Sequence, residues 1–121
     1  MEDMIKSKKV FNKIKGDIGE EQASLYLKQL GYKIIKRNFK TKLGEIDIIA
    51  KDGERIVFVE VKKKTTLKFG MPREMVTLKK QKTIKSVAEL YLKITKNLSC
   101  PTRFDVIEIV NDDIIHLKAA F

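Results

Sequence analysis

Apolar and polar positions change their period several times along the chain, and each change marks an element. In "GDIGEEQASLYLKQL", from Gly16 to Leu30, the residues Gly19, Ala23, Tyr26, Leu27 and Leu30 share one helical stripe, and Gly31 supplies a stop. At about 100° per residue Glu20 falls beside Ala23 and Leu27 at the edge of that stripe, whereas Glu21 points away. "YKIIKRNF", Tyr32 to Phe39, reads as a strand, with "TKLG" as the turn after it. Glu45 to Ala50 and Arg55 to Lys62 are two more strands, joined by "KDGE". A second helix is expected from Met75 to Ile94, with Ile84, Val87, Ala88 and Tyr91 facing inward and Lys80 continuing their stripe toward the rim of the sheet. "RFDVIEIV" and "IIHLKAAF" complete the set as fourth and fifth strands, separated by "NDD". The order αβββαββ implies one sheet with helices packed on it.

The second and third strands carry charges where a sheet interior should be apolar: Glu45, Asp47, Glu60 and Lys62. Alternation puts Glu45 and Asp47 on one face of their strand, and Glu60 and Lys62 on one face of theirs. With Asp52-Gly53 as a two-residue turn, Lys51 opposes Glu54, Asp47 opposes Phe58 and Glu45 opposes Glu60. All four charges then project together, with Asp47 and Glu60 as diagonal neighbours on the order of 7 Å apart. A three-residue turn would scatter them.

Composition narrows the chemistry. The chain has 121 residues, 43% of them hydrophobic, enough for a single domain over 14–121 preceded by a basic arm over 1–13. Its formal net charge of +10 favours a polyanionic partner, nucleic acid before an anionic membrane. One cysteine, Cys100, excludes an internal disulfide, and with the single histidine, His116, it cannot complete a zinc cage. No apolar run approaches the roughly 20 residues that span a bilayer, and the N-terminal stretch lacks a signal-peptide core, so the cytoplasm is the expected location.

Oxygen donors without sulfur or imidazole favour Mg²⁺ or Mn²⁺. Asp47 and Glu60 are the candidate ligands, and Lys62 is placed to orient water or offset charge on a phosphoryl group. Arg37, Lys63, Lys64, Lys68 and Arg73 flank the site as candidate contacts to a phosphate backbone, with Lys80 reaching it from the second helix. The chain has no Trp and no aromatic array for stacking bases, so recognition by backbone and shape is expected. The competing reading of the same charges is a solvated salt-bridge cluster.

The pattern of Glu20 on a helix, Asp47 on a strand and Glu60-Val61-Lys62 on the next resembles the PD-(D/E)XK nucleases, the fold of restriction endonucleases and Holliday junction resolvases. Within them "GDIGEEQASLYLKQLGYKIIKRNF", "GEIDIIA", "VFVEVK", "FGMP", Lys80-Gln81, "RFDVIEI" and "AAF" resemble the YraN-like family. The resemblance implies a three-layer α/β/α restriction endonuclease-like fold around a mixed sheet, and a Mg²⁺- or Mn²⁺-dependent endonuclease acting on DNA, including branched or damaged DNA. It implies Asp47 and Glu60 as metal ligands, Lys62 as the catalytic lysine, and Glu20 and Glu45 as auxiliary acids. Lys64 stands where the family usually has arginine, which removes the bidentate fork of a phosphate clamp. A homodimer and repair or recombination proteins are the partners it brings to mind. The alternatives are a non-catalytic nucleic-acid-binding or repair-complex module on the same fold and, third, a membrane-surface protein using the lysine-rich second helix.

Overall fold

The computed structural model describes residues 17–64 and 76–121. The expected basic arm, the "TTLKFGMPR" loop, Lys68 and Arg73 lie outside the described residues. Helix α1 covers 17–29 and is followed by β1 (Lys33–Lys40), β2 (Glu45–Asp52), β3 (Arg55–Lys64), α2 (Leu78–Ile94), β4 (Thr102–Val110) and β5 (Asp113–Leu117). The strands form one sheet in the order β1-β2-β3-β4-β5. Neighbours are antiparallel except β3 and β4, which run parallel and are connected through α2.

Each face of the sheet has its own helix and its own core. Ala23 and Leu27 of α1 pack with Ile48, Ala50, Val57, Val59, Ile107 and Ile109. On the other face Ile84, Val87, Ala88 and Tyr91 of α2 cover Ile46, Ile49, Ile56, Phe58 and Val106. The result is three layers, α/β/α, and the expected inward stripe of α2 is the buried one. Tyr91 meets Phe39 and Phe58 edge-on, and Phe58, Phe104 and Phe121 continue the apolar contact by stacking.

Local chemistry ends α1 near the expected stop and starts α2 at Leu78, inside the expected Met75–Ile94 span. Gly31, at φ 92°, allows its own N–H to reach the Lys28 carbonyl and the Tyr32 N–H to reach that of Leu27. Thr77 caps α2 by accepting from the Lys80 N–H at 3.1 Å. Leu30 departs from its expected stripe and is 48% exposed, because the helix has already stopped. The fifth strand ends at Leu117, four residues short of the expected end. Ala119, at φ 52°, turns its N–H onto the Asp105 carboxylate, and the next N–H bonds to the Phe104 carbonyl.

Two differences bear on the acidic hairpin. The turn is Gly53-Glu54, so Asp52 opposes Arg55, Lys51 opposes Ile56 and Ile48 opposes Val59. Gly53 takes the positive φ of 61° that the tight turn needs, while Asp52 stays in the strand, where Arg103 reaches its carboxylate at 3.2 Å. The register therefore slides by two positions, which preserves the faces.

The second difference does not preserve them. Strict alternation would put Ile46 and Ile48 on one face, yet Ile46 packs under α2 and Ile48 under α1. Across from the break, between the β1 residues Arg37 and Phe39, Asn38 adopts φ 53°, a left-handed conformation that asparagine tolerates better than most residues. The change of face in β2 thus falls at Asp47, opposite Asn38. Gly44 fixes the start of β2: at its φ of 154° a Cβ would stand 2.5 Å from Thr83 Cγ2 of α2. Glycine thus lets the hairpin lie against that helix.

Candidate functional site

The change of face in β2 distributes the acids over both faces of the sheet. Glu60 and Lys62 project toward α2, where Lys80 Nζ lies 2.6 Å from Glu60 Oε1 and Lys62 Nζ lies 3.6 Å from the same oxygen. Glu45 instead reaches Glu20 of α1. Carboxylate oxygens of Glu20, Glu45 and Asp47 all lie within 4.8 Å of one another. Asp47 sits between the two groups, its Oδ2 accepting from the Val61 N–H of β3 at 2.8 Å. The expectation of four charges on one face is thereby corrected: Asp47 links an α1-side pair of acids to an α2-side acid with two lysines.

Electrostatics single out the same residue. Burial pushes the Asp47 carboxyl up to about 7, and the Glu60 charge adds to that, against the Val61 N–H. Burial also raises Glu20, opposed by Asn38 and Arg37. Glu20 Oε2 is buried without a hydrogen-bond partner among the described residues, and Arg37 stands 4.0 Å from it. Lys62 is lowered by burial and by the Lys80 charge. Lys80 is raised, because its bond to Glu60 and the Glu60 charge outweigh its burial.

A stability effect follows from Asp47. With its folded pKa near 7 and a reference value of 3.8, the folded protein binds more protons than the unfolded chain across that window. Without metal, stability should therefore fall as pH rises from about 4 to 7, by as much as ~1.4 kcal/mol per pH unit. Denaturant unfolding in a chelating buffer at pH 5 and pH 7.5 would show it. Asp47→Asn should flatten the difference, and an unchanged slope would place the effect elsewhere.

Of the described residues expected to touch phosphate, Arg37, Lys63 and Lys80 are already held by protein acceptors. Arg37 donates to Glu21 at 2.6 Å, Lys63 to Gln22 at 2.6 Å, and Lys80 pairs with Glu60. Lys64 lies 3.7 Å from Glu108, a carboxylate with no exposed surface. Arg73 is outside the described residues. Glu108, adjacent to Lys62 in the parallel register, is a buried acid that reading by alternation passed over, since "VIEIV" looks like an uninterrupted apolar strand. The pairing of Lys80 with Glu60 was half visible, in the helical stripe that turns Lys80 inward.

A second charged group lies on the α1 face. Arg103 holds Asp105 through Nε and Nη2 at 2.8 and 2.9 Å, and donates to Tyr32 Oη at 2.7 Å. His116 Nε2 is 2.7 Å from Asp105, and its Nδ1 is 3.0 Å from Tyr26 Oη. Burial works against the Asp105 charge, yet bonds from His116, Arg103 and the Ala119 N–H hold its carboxyl below the usual range. Through its bond from the Ala119 N–H, Asp105 also ties β4 to the turn that follows β5.

The uncharacterised protein family UPF0102 matches residues 19–109, from the start of the α1 stripe through β4. The chain belongs to this family. A UPF0102 protein of Caldicellulosiruptor saccharolyticus is 53% identical over 112 residues, which cover 88% of this chain and 95% of that protein. One from Clostridioides difficile is 50% identical, over 91% of this chain and 98% of its own length. One from Persephonella marina is 45% identical, over 93% and 97%. The UPF0102 match includes Glu20, Glu45, Asp47, Glu60, Lys62 and Lys80. Among the described residues, no helix is long and apolar enough to cross a membrane.

Proposed function

We propose that this UPF0102 chain is a divalent-metal-dependent endonuclease of the PD-(D/E)XK type that hydrolyses phosphodiester bonds in DNA. The observation that carries this reading is Asp47, buried against Glu60 on one side and against Glu20 and Glu45 on the other. Acids crowded in this way raise one another's pKa unless a cation joins them. The donor set fits a hard ion: every candidate ligand offers oxygen, and Glu20 Oε2 is buried with no hydrogen-bond partner among the described residues.

Asp47 and Glu60 would hold Mg²⁺ or Mn²⁺. That ion supplies Lewis-acid polarisation of the phosphoryl group and activation of water. Lys62, lowered by burial and by Lys80, is suited to orient the attacking water and to stabilise charge on phosphoryl oxygens. Glu20 and Glu45 would position water from the α1 side. The net charge of +10 draws the polyanion, with contacts to its backbone in preference to its bases.

Incubating the protein with Mn²⁺ or Mg²⁺ and duplex, nicked, branched or single-stranded DNA tests the proposal; cleavage of none of them would refute it. A second reading, a DNA-binding module whose site is out of use, draws on the Lys80 ion pair that already neutralises Glu60. Calorimetry separates the two. A working site takes up Mn²⁺ and loses it in Asp47→Asn, whereas a disused one shows no such binding.

A further inference from the structure

Two ammonium groups converge on Glu60 Oε1, and they differ in their freedom to leave. Lys62 is on β3 itself, two residues from Glu60, with 28% of its side chain exposed. Lys80 comes from the first turn of α2, is 44% exposed, and makes the shorter contact of 2.6 Å. Its backbone is fixed by the Thr77 cap, so a change of side-chain rotamer alone would carry the ammonium into solvent. Neither the sheet nor α2 would have to move.

We propose that Lys80 is a displaceable counter-ion, which occupies Glu60 until a divalent cation takes that carboxylate from it. The inference rests on the metal-site reading above. In the absence of metal, Lys80 offsets the repulsion between Glu60 and Asp47, and Glu20 and Glu45 add negative charge from the other flank. A dication at Asp47 and Glu60 replaces a single charge with two, and repels the ammonium it displaces. Lys80 is then left at the rim of the site, where a DNA phosphate is the anion it would meet. The cost of removing Lys80 from Glu60 is a threshold on metal loading.

The test uses Mn²⁺ alone. Lys80→Met should bind Mn²⁺ about three- to tenfold more tightly than the unsubstituted protein by calorimetry, since the competing ion pair is gone. Acetic anhydride labelling of the unsubstituted protein, read by mass spectrometry, should modify Lys80 faster once Mn²⁺ is added, and Glu60→Gln should remove that increase. If the unsubstituted protein binds Mn²⁺ while Lys80→Met binds equally or more weakly, or Lys80 labelling does not rise, the counter-ion role is wrong and the metal site stands. If neither form binds Mn²⁺, the metal site itself is wrong, and this inference goes with it.

Discussion

Glu60→Gln and Lys62→Ala should each reduce Mn²⁺-dependent DNA cleavage by about 10²- to 10³-fold, the usual loss when one preorganised charged group is removed from a reaction centre. The two variants should fail for different reasons. Glu60→Gln takes away a charged ligand and should lose Mn²⁺ binding by calorimetry. Lys62→Ala leaves the carboxylates of Asp47 and Glu60 in place, so it should still bind Mn²⁺ while cutting that much more slowly. Both should retain most of their affinity for DNA, because attraction by a chain of net charge +10 is spread over many residues. Cleavage by Lys62→Ala at the unsubstituted rate would remove Lys62 from the mechanism.

Asp105→Ala should destabilise the fold by about 3–5 kcal/mol, the range for removing one partner of a buried ion pair. Asp105 has no exposed surface and accepts from Arg103, pairs with His116 and caps the Ala119 N–H. Without it, Arg103 keeps Tyr32 and Asp52 but loses its bidentate partner, and His116 keeps Tyr26 alone. Denaturant unfolding would measure the loss. Asp105 is depressed in the fold, so its contribution is complete above about pH 4 and fades as pH falls through its lower folded value. Because this network lies on the face opposite Glu60, folded Asp105→Ala should still bind Mn²⁺. A loss below 1 kcal/mol would mean that the network is dispensable.

The elements were largely legible because each buries one face: period 3.6 for Ile84, Val87, Ala88 and Tyr91, and runs of apolar residues in β2, β3 and β4. Even the orientation of Glu20 against Glu21 followed from helical rotation, and their side chains are 12% and 56% exposed. What escaped was set by tertiary partners. Arg103, more than fifty residues from Asp52 in sequence, meets Asp52 where the strand runs on past the expected turn. Asn38 is permissive of a left-handed turn, but an asparagine within a strand pattern does not announce one. Opposite it the face of β2 changes, with Glu45 reaching Glu20 of α1 while Glu60 faces α2. Alternation therefore held along β3, for Glu60 and Lys62, and failed along β2, where Glu45 and Asp47 part company with it.

The parallel pairing of β3 with β4 also bears on the order in which the chain can assemble. β1, β2 and β3 are joined by short turns, whereas β4 reaches β3 only after α2 has been passed. Closing the shorter loops costs less chain entropy, which favours formation of the three-stranded meander first. Asp47 and Glu60 both lie in that meander, and Lys80 arrives with α2. Asp47, Glu60 and Lys62 can thus come together before Lys80 docks with α2. At that stage Lys62 stands beside Glu60 from the same strand, and protonation of Asp47, or the divalent ion proposed for cleavage, would relieve the repulsion that Lys80 offsets in the finished fold.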